Sequence, residues 1–165
     1  MLKRNVSGNF LVGNYGGGNG CVDNDDGSLE FDINEGCHVY GHQKFKVGGI
    51  RTHDNVLAYV TDLAGHWDGP GELGYETNAA YGNRVVFATA GATYHDCTWG
   101  SGLARANALY GNFSVRGSAC AGNAALTLAA WQALDPAAND VGSTANATLP
   151  APAEIVGWCR EKLGM

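Results

Sequence analysis

Charge is scarce in this sequence. Only 16% of its 165 residues are Asp, Glu, Lys or Arg, against about a quarter in an ordinary soluble domain. No run of Lys and Arg occurs, and the formal net charge is −6. The clustered cations that neutralise phosphates are missing, which excludes nucleic acid as a partner. Nothing approaches the ~18 consecutive apolar residues of a membrane span. No basic segment followed by an apolar one opens the chain, so the expectation is that these residues include no secretory signal. The five cysteines (Cys21, Cys37, Cys97, Cys120, Cys159) have neither CxxC nor Cys/His metal spacing, which argues against a zinc site. There is no Gly-x-Ser-x-Gly elbow, and Gly16-Gly17-Gly18 lacks the strand-to-helix context of a phosphate loop.

What is present is glycine, 25 residues of it, with abundant asparagine and 45% hydrophobic residues. That composition fits many tight turns between short strands rather than disorder, which needs high net charge and few apolar groups. One phrase recurs: a small residue, then Asn, then an alternating apolar stretch. It appears as Gly8-Asn9-Phe10-Leu11-Val12, Asp54-Asn55-Val56-Leu57-Ala58, Gly82-Asn83-Arg84-Val85-Val86 and Gly111-Asn112-Phe113-Ser114-Val115, with a weaker copy, Gly36-Cys37-His38-Val39, in which Cys stands for Asn. The copies begin at 8, 36, 54, 82 and 111, in steps of 28, 18, 28 and 29. Hairpin turns of a β-sandwich would come every 8–12 residues, whereas a period of about 20–30 suits a coil of stacked parallel strands. In such a stack, one strand spacing of about 4.8 Å separates equivalent residues, so Asn side chains can form a hydrogen-bonded ladder. The expected fold is all-β, a right-handed parallel β-helix solenoid with a C-terminal helical cap.

Residues 1–123 are read as coils and 124–165 as the cap. Ala124 to Leu134 is rich in helix formers, and 153–163 reads as an amphipathic helix with Pro152 at its start and Ile155, Trp158 and Leu163 on one face. An open last coil needs such a cover. Because Asn5 already belongs to the repeat, the expectation is that further coils precede this chain. Three acceptor tripeptides, Asn5-Val6-Ser7, Asn112-Phe113-Ser114 and Asn146-Ala147-Thr148, tilt the reading towards a secreted glycoprotein.

The segment Cys21-Val22-Asp23-Asn24-Asp25-Asp26-Gly27-Ser28, followed by Tyr40-Gly41-His42-Gln43-Lys44, Gly48-Gly49 and His53-Asp54-Asn55, together with Leu128-Ala129-Ala130-Trp131-Gln132-Ala133 and Asp140-Val141-Gly142-Ser143, resembles the β-helix domains of the pectate-lyase-like superfamily. It is especially similar to β-helix proteins of microbial eukaryotes that are mostly expected to be extracellular. The resemblance covers nearly the whole chain. It implies a fold shared by polysaccharide lyases, hydrolases and epimerases, and equally by adhesins and non-catalytic solenoids.

Candidate chemistry centres on Asp23, Asp25 and Asp26. Paired carboxylates can divide acid and base roles, and the resemblance extends this to the aspartate trio of polygalacturonases, although their Gly-His-Gly segment is absent here. The same residues also read as an Asx-rich turn ending at Gly27, or as hard oxygen ligands for Ca2+. Lys44 and Lys46 follow Asp23 by 21 and 23 residues, about one coil, which places a cation beside the aspartates. In a lyase or epimerase the carboxylates and Lys44 would abstract and stabilise, with Lys46, Arg51 and His53 contacting a uronate. The alternative is an inter-coil salt bridge. Trp67, His95 and Trp99 supply aromatic and polar groups suited to sugar rings, or simply surface turns. Cys97 and Cys120 lie one coil apart and Cys21 and Cys37 across a turn, as two candidate disulfides, unless all five are buried small hydrophobes. The functional expectation is a secreted protein that binds or processes polysaccharide. The alternative is a structural or adhesive module of a larger extracellular assembly.

Overall fold

The computed structural model describes residues 4–12, 22–24, 31–40, 43–45, 49–61, 63–67, 78–96, 103–116, 124–137 and 139–165. These form three sheets, in which β1 to β15 are dealt out as every third strand and β16 is added to the end of the second. The first holds β1 (Arg4–Ser7), β4 (Phe31–Asn34), β7 (Arg51–His53), β10 (Ala79–Tyr81) and β13 (Leu103–Arg105). The second holds β2 (Phe10–Val12), β5 (Cys37–Val39), β8 (Val56–Val60), β11 (Arg84–Phe87), β14 (Ala108–Tyr110) and β16 (Thr144–Asn146). The third holds β3 (Val22–Asn24), β6 (Gln43–Phe45), β9 (Leu63–Trp67), β12 (Ala92–Asp96) and β15 (Phe113–Arg116). Every strand pair within them is parallel. Two short helices, α1 (Leu128–Leu134) and α2 (Pro152–Lys162), complete the described chain.

The recurring phrase marks the corner between the first and second sheets. Gly8, Glu35, Asp54, Gly82, Ala106 and Gly142 all have left-handed φ, between 50° and 75°. That conformation favours Gly and tolerates Asp, which explains the small first residue. At Gly82 a Cβ would also come within 2.8 Å of Asp54 Oδ1. The next residues, Asn55, Asn83 and Asn107, are buried and stacked. Asn55 Oδ1 accepts from the Gly36 N–H at 2.9 Å, Asn83 Oδ1 from the Asn55 N–H at 3.0 Å, and Asn107 Oδ1 from the Asn83 N–H at 2.9 Å. Ser143 Oγ ends the column by accepting from the Asn107 N–H. The amide nitrogens donate to the carbonyls of Ile33, Thr52 and Ala80.

The ladder differs from its sequence reading in two places. Register pairs Phe10 with Cys37 and Cys37 with Val56, so Gly36, not Cys37, occupies the Asn position. A Cβ there would lie 2.5 Å from the His38 ring, so the buried imidazole leaves no room for Asn. At the other end Asn107 takes the place expected of Asn112, which lies outside the column between β14 and β15.

The space between the sheets is filled by Ile33, Ile50, Leu57, Val60, Ala64, Val85, Phe87, Tyr94, Leu109 and Val115. Its C-terminal end is closed by α1, whose Leu128 and Trp131 join the same core. Buried Asp140 fastens this closure: Tyr94 Oη and Ser143 Oγ donate to Oδ1 at 2.9 and 3.0 Å, and Trp131 Nε1 donates to Oδ2 at 3.0 Å. Burial first, then the Asp140 charge, push the Tyr94 hydroxyl well above its ordinary pKa, keeping it a donor.

The sequence-expected helix at 153–163 is α2, one residue displaced, but it does not cover that end. It lies along the outside of the second sheet, where Ile155 and Cys159 pack on Cys37, Val56, Ala58 and Val86. Arg84 sits over the Trp158 ring and 3.3 Å from Glu161. A Cys37–Cys159 disulfide ties it down. Cys37 is therefore not paired with Cys21. An inference from coil spacing could not reach this bond, because its partner returns from 122 residues away. Cys97 and Cys120 lie outside the described residues. No described helix is long and apolar enough to cross a membrane.

Candidate functional site

Residues at the middle of the first-sheet strands point inward: Ile33, Thr52, Ala80 and Ala104 are buried. By the twofold alternation of a strand, their neighbours face out. Register places Ser7, Asn34, His53, Tyr81 and Arg105 in one outer row, and Asn5, Asp32, Arg51 and Ala79 in the next.

The first row is tightly ordered around His53. Its Nε2 lies 2.8 Å from Asp32 Oδ1 and its Nδ1 2.7 Å from Asp54 Oδ2. Carboxylates only accept, so both contacts are donated by the ring only in its imidazolium form. Asn34 Nδ2 donates to the same Asp32 oxygen at 2.9 Å and to Asn5 Oδ1 at 3.0 Å. The imidazole is stacked on Tyr81, with centroids 4.7 Å apart and planes 4° apart, and the Arg105 guanidinium covers the Tyr81 ring at 5.3 Å. Cation, aromatic ring and imidazole thus form one continuous pile across three strands. Partial burial, then the Asp32 charge, raise the Tyr81 hydroxyl above its ordinary pKa, so the phenol stays protonated as a donor. Asp54 holds its position because it is itself a left-handed corner residue, a conformation in which Asp is tolerated.

The third sheet brings together a second set of the sequence candidates. Asp23 on β3 is the register partner of Lys44 on β6, as the 21-residue offset leads one to expect. Lys44 is in turn opposite His66, His66 opposite Asp96, and Asp96 opposite Arg116. Trp67 is opposite Phe45, and His95 opposite Gly65 and Val115. Arg51 and His53, grouped with Lys44 on sequence grounds, belong instead to the first sheet. The remaining expected residues, Asp25, Asp26, Lys46 and Trp99, lie outside the described residues, and with them most of the expected Ca2+ ligand set. Among the described residues no group of three or more His, Cys, Asp or Glu is placed to hold a metal ion.

Asp32, Asn34, Tyr81 and Arg105 were not singled out from sequence. Their signal was the alternation of Phe31-Asp32-Ile33-Asn34 and Arg51-Thr52-His53, which puts polar side chains on one face at successive levels. Protein-family models, curated proteins and solved structures all yield no match to this chain.

Proposed function

We propose that this chain is a secreted right-handed parallel β-helix of the pectate-lyase-like kind that binds polysaccharide on the outer face of its first sheet. The every-third-strand order of the parallel sheets supports the fold reading, with the right-handed crossover as the near-universal hand of parallel connections. The row Asn34–His53–Tyr81–Arg105 carries the functional reading. Its members repeat at the strand spacing of about 4.8 Å, comparable to the length of one sugar ring. A glycan running across the strands therefore meets an equivalent polar group at each unit. Both faces of Tyr81 are already covered by His53 and Arg105, so sugars dock on ring edges and hydrogen-bonding groups rather than by stacking. Arg51 and Arg105 favour a carboxylate-bearing sugar.

Binding without turnover is the better supported form. Both ring nitrogens of His53 are committed to carboxylates of its own chain, which leaves it a poor general base. Lyase- or hydrolase-type catalysis would fall to the third sheet, where the Asp23–Lys44 register pairing supports it and Asp25, Asp26 and Ca2+ would complete it. The structural-module alternative draws on the same outer row, whose side-chain hydrogen bonds cross-link adjacent strands.

Titration of the protein against acidic and neutral polysaccharides, with and without calcium, tests the proposal. Saturable binding to an acidic glycan, weakened tenfold or more in Arg105→Ala and unchanged in Asp23→Asn, is expected. Release of new reducing or unsaturated ends, abolished by Asp23→Asn, would move the function to the third sheet. Absence of binding to every glycan would leave the structural module.

A further inference from the structure

The three acceptor tripeptides sit in different backbone settings. Asn5-Val6-Ser7 lies wholly within β1. Asn5 Oδ1 is taken by Asn34 at 3.0 Å, and its amide nitrogen is turned to Ser7 Oγ at 3.5 Å. In Asn112-Phe113-Ser114 the last two residues belong to β15. The Phe113 ring is stacked on Phe87, and Ser114 Oγ accepts from Arg116 Nε at 3.0 Å. Asn146-Ala147-Thr148 is different. Asn146 ends β16, and the chain bends away so that the Thr148 N–H donates to Asn146 Oδ1 at 2.9 Å. This is an Asx turn, and all three residues are exposed. Asn146 Nδ2 has no hydrogen-bond partner among the described residues.

The turn brings residue 148 back towards the side-chain amide. The bond to Oδ1 draws density from the amide nitrogen and makes its N–H easier to remove. β16 is also the outermost strand of the second sheet, and exposed edges of this kind are commonly blunted by bulky or polar groups.

We propose that Asn146, and not Asn5 or Asn112, carries an N-linked oligosaccharide, an inference that rests on the secreted part of the functional reading above. The donor class is a polyprenyl-pyrophosphate-linked oligosaccharide. The Nδ2–C1 bond forms, the C1–oxygen bond to pyrophosphate breaks, the lipid pyrophosphate leaves, and a base of the transferase takes the amide proton. The attached sugar stands beside β16, the end strand of the second sheet among the described residues.

The test expresses the full chain behind a cleavable secretory leader in eukaryotic cells and maps peptides from cell-associated and secreted protein together. Amidase deglycosylation in heavy-oxygen water marks each occupied Asn. The expected result is an oligosaccharide on the Asn146 peptide alone, lost in Asn146→Gln and in Thr148→Ala, kept in Thr148→Ser, and untouched by Asn5→Gln or Asn112→Gln. An unmodified Asn146 peptide, or occupancy at Asn5 or Asn112 in its place, overturns the proposal. Polysaccharide binding by the deglycosylated protein is scored separately. Failure there counts against the binding reading without altering the site assignment.

Discussion

Two polar stacks run across the strands of this molecule, one inside and one outside. The Asn55–Asn83–Asn107 column is buried and hydrogen-bonded at every level. The Asn34–His53–Tyr81–Arg105 row follows the same register on an exposed or half-exposed face. The geometry is shared and the solvent differs. In the column each polar group must be met by protein, because an unmet one costs about 1–3 kcal/mol. In the row water can meet any group a neighbour leaves open, so its ordered arrangement contributes little stability and is free to serve recognition.

The sharpest break between the two comes from truncating one member of each. Asn83→Ala leaves the Asn55 N–H without an acceptor and the Thr52 carbonyl without its side-chain donor. A loss of about 3–5 kcal/mol is expected in urea unfolding, from two buried groups at about 1–3 kcal/mol each plus a small void. A loss below about 1 kcal/mol would mean that the column is wet.

Acid sharpens the contrast from the inside. His38 points into the same interior, and burial lowers its pKa from 6.5 to about 4. An unfolded His38 takes up its proton as pH falls through 6.5, while the folded one resists until about 4. Folded stability is therefore full above about pH 6.5 and declines by about 3 kcal/mol on descent to pH 4. Unfolding midpoints measured across that window should show the decline, and His38→Leu, matching Leu11 and Leu57 in its register row, should flatten this component.

The outer row gives the smallest stability effect. His53→Ala should change unfolding free energy by no more than about 1 kcal/mol, while lowering acidic-glycan affinity roughly tenfold. A larger stability loss with no change in binding would favour the structural reading.

The corner phrase was readable in sequence because two constraints coincide there. A left-handed residue selects Gly or Asp, and the following stacked position selects Asn. Where one constraint lapses the reading slipped. Gly36 fills the second position without Asn's signature, and Ala106 holds the left-handed conformation without looking like a turn residue, which leaves Gly111-Asn112 as the stronger local signal. The Asp23–Lys44 register was legible because their separation of 21 residues falls within the roughly 20–30-residue period of the repeat. The His53 site was only half legible. Arg51 and His53 stood out, but assigning Asp32 as partner required knowing which strand lies alongside. The tail's helix was visible in its periodicity, whereas its seat depended on Cys37, chosen by a fold that no local pattern records.

The corner residues have one more effect. Along the column the positions 9, 36, 55, 83, 107 and 143 are separated by 27, 19, 28, 24 and 36 residues, yet each returns to the same hinge beside the same neighbour. Pitch is therefore set at the hinge and not by the amount of chain spent between hinges. Whole excursions can lengthen, shrink or acquire new chemistry without putting the layers out of step.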